Sequence, residues 1–276
     1  MNRPKPAQRP KQRGAVRSAF GTLAALAAAL LLGACATPLP EGSFEQRLAG
    51  SGRPVVVFQS GLGDGLGVWS AVQQGLPGNL TSVAFSRAGV GQSPAAEGER
   101  SACRIAAEQR QMLQRAGLRP PYVLVGHSLG GLYQYAFARL YPAEVAGIVL
   151  LDPTHPQHWQ RLQQEAPASA ALVRVARLSP AFTRTMRREF DDQARCLDTL
   201  AARPMPPLPA RLLVRGGFVP PDVGAFERVV RELWVDWARE LGVPAATPVP
   251  GAGHYIQRDR PREVIKAIAE VASARG

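Results

Sequence analysis

The stretch from Tyr122 to Gly131 reads Tyr-Val-Leu-Val-Gly-His-Ser-Leu-Gly-Gly. It opens with a short apolar run that is typical of a buried strand, and a helical pattern follows at residues 132–140. Between them, residues 126–130 match Gly-x-Ser-x-Gly, in which a serine occupies a sharp turn from strand to helix. Because a turn this tight brings strand and helix into contact, a Cβ two residues before or after Ser128 would clash. We therefore expect the Ser128 hydroxyl to stand clear of the backbone, with a helix N-terminus behind it that stabilises negative charge.

Apolar runs of strand length recur on both sides of this stretch, with helical patterns between most of them. Continuous apolar runs are typical of parallel strands that are buried on both faces. Strands are predicted at residues 43–48, 55–58, 83–85, 122–125, 145–151, 211–214 and 245–249, and helices at 101–116, 132–140, 226–241 and 263–272. This alternation predicts an α/β fold, in which a mostly parallel central sheet carries helices on both faces.

Residues 153 to about 207 interrupt the alternation because they lack strand character. They contain helical patches at 170–178 and 183–200, so we expect a helical cap insertion over the carboxyl edge of the sheet, where ligands bind in open α/β folds. Its apolar side chains would suit a hydrophobic acyl group, but packing of the cap onto the core is the alternative. They are Leu162, Leu172, Val173, Val175, Phe182 and Met186.

Residues 1–34 are predicted to be a signal peptide, because six basic residues and no acid precede a short apolar stretch. The Leu-Gly-Ala-Cys that ends at Cys35 resembles the lipobox of bacterial lipoproteins, in which the cysteine is lipidated and becomes the mature N-terminus. The resemblance implies an exported protein that is held at a membrane by acyl chains, with residues 35–42 as lipidated cysteine and linker. Ala36, in place of an aspartate, favours the periplasmic face of the outer membrane over the inner membrane. An ordinary secretory signal or an uncleaved anchor is the alternative.

Setting residues 1–34 aside lowers the formal net charge from +12 to +6. The remaining basic residues are nearly all arginines, and they are scattered along the chain. A nucleic-acid-binding surface would instead show a basic stripe or basic residues interleaved with aromatic ones. We therefore expect no nucleic-acid partner.

Two cysteines remain after Cys35, namely Cys103 and Cys196. Exported proteins often pair such cysteines, so a disulfide between them is predicted. Two unrelated buried thiols are the alternative.

A serine hydroxyl becomes a strong nucleophile when a base removes its proton and a third group orients the base. The chain has four histidines. His254 lies in a glycine-rich loop between the last predicted strand and helix, from which a base can reach back over the sheet edge to Ser128. A metal site at Asp152, His155 and His158 is disfavoured because no further ligand is apparent nearby. We therefore expect neither a metal nor a cofactor.

Four segments from residue 43 onward, in their order and spacing, resemble the α/β-hydrolase fold family. They are Ser60–Gly63, Arg87–Ser93, Gly126–Gly131 and Gly253–Pro261. The resemblance implies a hydrolase domain over residues 43–276, with Ser128 as nucleophile and His254 as general base. It also implies an oxyanion hole formed by the backbone N–H groups of Leu62 and Leu129.

Two residues compete for the role of the triad acid. The commonest position in the family follows the strand before the last one, but here the first acid after that strand is Asp222, which lies late in the loop and could instead cap the next helix. Some family members take the acid from the end of the strand that follows the helix after the nucleophile, where this chain has Asp152. We favour Asp152 because a strand end holds its position, and Asp222 is the alternative.

The implied activity is hydrolysis of a small carboxylic ester through an acyl-enzyme on Ser128. Family dehalogenases and epoxide hydrolases use an aspartate as nucleophile. Because this chain has Ser128 at that position, we do not expect those reactions here. A peptidase, thioesterase or lactonase with the same triad remains open, as does a non-catalytic binding lipoprotein.

Overall fold

In the computed structural model, which describes residues 43–274, seven strands form one sheet. The predicted signal peptide, Cys35 and the linker up to residue 42 lie outside the described residues. The strands are β1 (Gln46–Ala49), β2 (Val55–Gln59), β3 (Thr81–Phe85), β4 (Tyr122–His127), β5 (Val145–Leu151), β6 (Ala210–Arg215) and β7 (Thr247–Val249). Their spatial order is β1-β3-β2-β4-β5-β6-β7, and every neighbouring pair is parallel except β1 with β3. The predicted α/β fold is confirmed.

Ten helices surround the sheet in the described part of the chain. They are α1 (Ser70–Gly75), α2 (Ala102–Arg115), α3 (Leu129–Leu140), α4 (His158–Glu165), α5 (Pro167–Ala176), α6 (Arg184–Asp192), α7 (Leu197–Ala201), α8 (Ala225–Leu241), α9 (Ile256–Asp259) and α10 (Pro261–Ser273), with short 3-10 turns at Leu66–Trp69 and Pro142–Glu144. Helices α4 to α7 all lie between β5 and β6, and we call residues 153–207 the cap. None of the helices between residues 43 and 274 is long and apolar enough to cross a bilayer.

Alternate side chains of the strands enter two separate apolar cores, one on each face of the sheet. In β2, Val55 and Val57 join the core that α2, α3 and α8 cover, whereas Val56 and Phe58 join the core beneath α1 and α10. The side chains of a strand point alternately to opposite faces, so a strand covered on both sides must be apolar throughout. This explains why the strands appear in the sequence as continuous apolar runs.

The structure differs from the predicted helices in two regions. The turn and helix over residues 66–75 were not predicted, because they are short and interrupted by glycines. In the cap, α4 was not predicted and α5 begins at Pro167 directly after it, whereas Cys196, with a φ of 64°, divides the helix predicted over 183–200 into α6 and α7. Both boundaries occur where the backbone leaves the helical conformation, which apolar periodicity alone does not register.

A disulfide joins Cys103 of α2 to Cys196 of the cap. The predicted pairing is therefore present in the structure. It connects the cap covalently to a helix that packs on the central sheet.

Candidate active site

Ser128 lies at the turn between β4 and α3 with a φ of 53° and a ψ of −124°. Positive φ is unfavourable for a residue with a Cβ and persists only where surrounding contacts enforce it. Here the Ser128 N–H donates to the carbonyl of Leu151 at 3.0 Å, and the Ser128 carbonyl accepts from Thr154 at 2.9 Å. The strained turn is thus bonded to the end of β5 on both sides of the serine.

The glycines of the elbow, residues 126–130, are required by close contacts. A Cβ at Gly126 would lie 2.6 Å from the carbonyl oxygen of Gly130, and one at Gly130 would lie 2.3 Å from the carbonyl oxygen of Gln59. Both distances are shorter than any tolerable contact, so α3 could not pack this closely on β2 and β4 with larger residues. The clash expected from the sequence is present at both positions.

The structure brings His254 and Asp152 into direct contact. His254 lies in the loop between β7 and α9, and its Nδ1 is 2.6 Å from Oδ2 of Asp152. Asp152 follows β5 and is only 5% exposed. Burial alone would raise the pKa of Asp152, but hydrogen bonds and positive charge from His254 and Arg215 outweigh it and hold that pKa below its usual value. Asp152 is therefore an ionised carboxylate that can accept from an imidazole N–H.

Asp222 is placed differently from Asp152. Its Oδ2 accepts from Nη1 of Arg215 at 2.9 Å, and its side chain is 41% exposed. Arg215, the last residue of β6, also donates from Nε to Oδ2 of Asp152 at 2.7 Å. Of the two predicted acids, Asp152 is thus the one in contact with His254. Asp222 bonds to Arg215, which in turn contacts both Asp152 and His254.

His127, the residue before Ser128, is buried and supports the His254 loop. Its Nε2 lies 2.9 Å from the carbonyl oxygen of His254, and a carbonyl can only accept, so Nε2 carries a proton. Burial, reinforced by the neighbouring His254, lowers the pKa of His127 to about 3. His127 is therefore a neutral structural donor at ordinary pH.

The loop Ser60–Gly63, which we call the oxyanion loop, passes over the nucleophile. A Cβ at Gly61 would lie 3.3 Å from Cβ of Ser128, so this loop passes within contact distance of the serine, and the helix that begins at Leu129 follows the serine directly. Arg87 anchors this loop, because its guanidinium donates to the carbonyls of Ser60 at 2.6 Å and Gly61 at 2.8 Å. These bonds hold the peptide that precedes Leu62.

The cap reaches the oxyanion loop at Met186. The sulfur of Met186 lies 2.9 Å from where a Cβ of Gly63 would be. The other apolar cap residues are distributed differently: Leu162 packs with Val229 and Leu233 of α8, and Leu172 is exposed. Met186 thus lies against the oxyanion loop, whereas Leu162 packs the cap onto α8.

His155 and His158 do not form a metal cluster with Asp152. The Nδ1 of His155 accepts from the backbone N–H of Gln157 at 3.1 Å, and its ring packs edge-on against Trp237. Between residues 43 and 274, no three side chains of His, Cys, Asp or Glu are arranged to share a metal ion.

Two functional contacts escaped the sequence analysis. Glu189 of α6 pairs with Arg87 across 102 positions of the chain, a separation that no local pattern reports. Arg215 carried a usable signal, because a charged residue at the carboxyl end of a buried parallel strand lies where ligands and catalytic groups gather.

The comparisons with known proteins agree with this architecture. A family model described as alpha/beta hydrolase fold matches residues 54–209, which is more than half of the chain. The uncharacterized protein YqjL of Bacillus subtilis is 30% identical over 108 residues, which cover 39% of this chain and 43% of that protein. The chain thus spans less than half the length of this relative.

Two solved structures share the fold over most of their length. A thermophilic esterase from Thermogutta terrifontis superimposes with a TM-score of 0.55 at 22% identity, covering 82% of this chain and 92% of that one. An alpha/beta hydrolase fold protein from Burkholderia ambifaria gives 0.60 at 20% identity, covering 81% and 92%. With the family match, the parallel sheet and the serine elbow, these similarities lead to one conclusion: the chain belongs to the α/β hydrolase fold family.

Proposed function

We propose that this protein is a serine hydrolase that cleaves carboxylic esters, with Ser128 as nucleophile, His254 as general base and Asp152 as the acid that orients the base. The observation that carries the proposal is the 2.6 Å contact between His254 and Asp152, in which the His254 ring packs against His127, the residue before a serine held at positive φ. A non-catalytic binding protein would need neither the strained serine nor a buried carboxylate bonded to an imidazole.

The reaction follows from the roles of these groups. Oγ of Ser128 attacks the ester carbonyl as Nε2 of His254 takes its proton, and Asp152 stabilises the imidazolium that forms. The negative charge on the carbonyl oxygen accepts hydrogen bonds from the backbone N–H groups of Leu62 and Leu129. His254 then protonates the departing alcohol, and a water molecule, activated by the same histidine, releases the acid from Ser128.

A fluorophosphonate probe combined with p-nitrophenyl esters of graded chain length tests the proposal. Wild-type protein should bind one probe per chain and turn over at least one ester, and Ser128→Ala should lose both activities. Ser273→Ala, at the exposed end of α10, is the control and should retain both. Failure of the folded wild-type protein to label would overturn the proposal and favour the binding protein instead.

The acyl group is proposed to be apolar, since Met186 covers the oxyanion loop. A peptidase, thioesterase or lactonase would use the same three residues, so the ester screen should include an amide, a thioester and a lactone of matched acyl chain. If one of these is cleaved with a higher kcat/KM than the best ester, the assignment to esters is wrong, whereas the serine-hydrolase assignment stands.

We also propose that the enzyme is exported and anchored to a membrane through lipidated Cys35. The disulfide between Cys103 and Cys196 supports export, because such bonds persist mainly outside the cytoplasm. Expressed in a bacterial host, wild-type protein should incorporate labelled palmitate and fractionate with outer membranes, whereas Cys35→Ser should do neither. Unlabelled wild-type protein in the soluble fraction would reject the anchor.

A further inference from the structure

The guanidinium of Arg215 has a different partner on each of its three nitrogens. Nε donates to Asp152 at 2.7 Å, Nη1 donates to Asp222 at 2.9 Å, and Nη2 lies 2.9 Å from Nδ1 of His254. Arg215 is 8% exposed, and the ring of Phe218 covers its face with 4.9 Å between Cζ and the ring centroid. The planar guanidinium is therefore fixed between the acid and base of the site.

This arrangement gives Nδ1 of His254 two competing neighbours. The nitrogen can carry a hydrogen and donate it to Asp152, or it can expose a lone pair and accept from Arg215. Donation to Asp152 leaves Nε2 free to take a proton from Ser128, whereas acceptance from Arg215 places the hydrogen on Nε2 and blocks the base. Asp152 and Arg215 thus favour opposite tautomers of the neutral imidazole.

The same two neighbours act oppositely on the charged imidazole. The carboxylate of Asp152 stabilises the imidazolium, and the positive charge of Arg215 opposes it. Asp222 moderates Arg215, because its carboxylate bonds to the guanidinium at a nitrogen that contacts neither member of the Asp152–His254 pair. The charges therefore alternate in sign from Asp152 through Arg215 to the partly exposed Asp222, and the imidazolium of His254 lies between the opposite charges of Asp152 and Arg215.

We propose that Arg215 is a positioning residue that sets the tautomer and proton affinity of His254, and that Asp222 is its counter-charge. This extends the mechanism to a residue pair outside the triad, and it rests on the proposed serine-hydrolase function. The strand end that carries the triad acid in the commoner family arrangement here carries Arg215, which acts on the acid supplied by β5.

Other charged and titratable groups also surround His254, and they are unchanged in the variants used below. They are Asp64 in the loop after β2, His127 on β4, Asp152 after β5, His158 on α4, and Tyr255 and Arg258 beside or on α9. A shift caused by Arg215 or Asp222 is therefore measured against a constant background.

The test is the pH dependence of kcat/KM for Arg215→Met, Arg215→Lys and Asp222→Asn. Removing the positive charge in Arg215→Met should move the midpoint of the acid limb upward by about one pH unit, and removing the counter-charge in Asp222→Asn should move it downward by about half a unit. Arg215→Lys retains the charge but not the three-way fork, so its midpoint should stay within about 0.3 units of wild type while kcat falls.

Opposite shifts in the two charge variants are the decisive result, because a merely structural pair would lower activity at all pH values without separating the midpoints. Arg211→Gln is the matched control, since Arg211 is the second residue of the same strand, at the end away from Arg215, and pairs with Glu270 at 2.9 Å. Shifts in the same direction, or both smaller than about 0.2 units, would overturn the proposal. If Arg215→Met fails to fold, the other two variants test the proposal. A downward shift of the acid-limb midpoint in Asp222→Asn, with an unshifted midpoint in Arg215→Lys, would support it, and an unshifted midpoint in Asp222→Asn would overturn it.

A second readout does not depend on turnover. The protonation of His254 can be followed by NMR of ¹³C-histidine in a Ser128→Ala background, with the resonance assigned by its loss in His254→Asn. The charge variants should shift this titration in the same opposite directions. If the wild-type protein hydrolyses no ester but these shifts are seen, the proposed function fails and the role of Arg215 stands; unshifted titrations in an active enzyme would reject Arg215 alone.

Discussion

Arg87 and Glu189 form a buried bidentate ion pair that joins the oxyanion loop to the cap. Nε and Nη2 of Arg87 lie 2.9 Å and 2.8 Å from the two carboxylate oxygens, and both side chains are at most 2% exposed. The same guanidinium holds the carbonyls of Ser60 and Gly61. A single arginine side chain therefore connects cap helix α6 to the backbone that presents Leu62.

Replacement of Glu189 with glutamine should strongly destabilise the protein, because it leaves the buried positive charge of Arg87 without its paired carboxylate. We expect a loss of about 3–5 kcal/mol in the free energy of unfolding, measured by urea denaturation. We also expect kcat to fall about tenfold or more, since the oxyanion loop loses a fixed anchor. Glu97→Gln is the control, because Glu97 also pairs with cap arginines but is 81% exposed, and it should change stability by less than about 0.5 kcal/mol. Equal effects of the two substitutions would contradict this account.

Asp152→Asn should abolish most of the activity, whereas Asp222→Asn should not. An asparagine cannot hold the imidazole in the tautomer that accepts from serine, and the corresponding substitution in serine proteases lowers kcat by about 10⁴. We expect a loss on the order of 10³–10⁴ for Asp152→Asn and a plateau kcat within about tenfold of wild type for Asp222→Asn, both measured with the best ester from the screen. The reverse order of the two losses would assign the acid to Asp222.

Stability should fall as the pH is lowered from about 6.5 towards 4. Burial lowers the pKa of His127 to about 3 and the pKa values of His155 and His158 to about 4, compared with 6.5 in the unfolded chain. Between these values the unfolded state binds more protons, so each histidine adds a loss of about 1.4 kcal/mol per pH unit. The depressed pKa of Asp152 adds a further loss only below its reference value of 3.8.

Urea titrations at pH 7 and at pH 5 measure this effect. His155→Gln should remove about a third of the pH dependence in that window, because it removes one of three such histidines while glutamine retains a polar group without a titratable nitrogen. If the stability of this variant depends on pH as strongly as that of the wild type, groups other than His155 take up the protons on unfolding.

Loss of the disulfide should destabilise the protein without removing the triad. Cys103 and Cys196 are separated by 93 positions, and a loop of that size corresponds to about 4–5 kcal/mol of chain entropy. We expect the Cys103→Ser, Cys196→Ser double variant to unfold at a correspondingly lower urea concentration, as should the wild type in excess dithiothreitol. A double variant as stable as the oxidised wild type would show that the bridge does not restrain the unfolded chain.

The mostly parallel sheet was accessible to sequence analysis because most of its buried strands are apolar runs, whereas the spatial order of the strands was not predicted. The elbow was predictable for a different reason. Only glycine fits at positions 126 and 130, where the helix packs against the strands, so this packing requires a recognisable local sequence. The interpretation of Asp152 as acid also depended on local position, since a residue directly after a strand is held by that strand.

The contacts of Arg87 and Arg215 could not be predicted from the sequence in this way. An arginine is usually solvated, and nothing near Arg87 in sequence indicates that Glu189, from a separate helix, will neutralise it in the core. The cap shows the same limit: its helices bury few apolar residues, and the helix ends depend on Pro167 and on Cys196, whose backbone is in the left-handed conformation. Long-range charge pairing and irregular backbone are both properties of the folded chain rather than of any window of sequence.

Among the contacts between the cap and the rest of the described chain, two differ most from each other: the covalent Cys103–Cys196 bond and the fully buried Arg87–Glu189 pair. The ion pairs of the cap with Glu97 and Glu232 are partly exposed by contrast, so we expect the segment between β5 and β6 to tolerate exchange where these two links are kept. A chimera that keeps a carboxylate in place of Glu189 and a cysteine in place of Cys196 would retain both links. Those two positions therefore define how a foreign cap would have to be grafted to give this hydrolase scaffold a new substrate range.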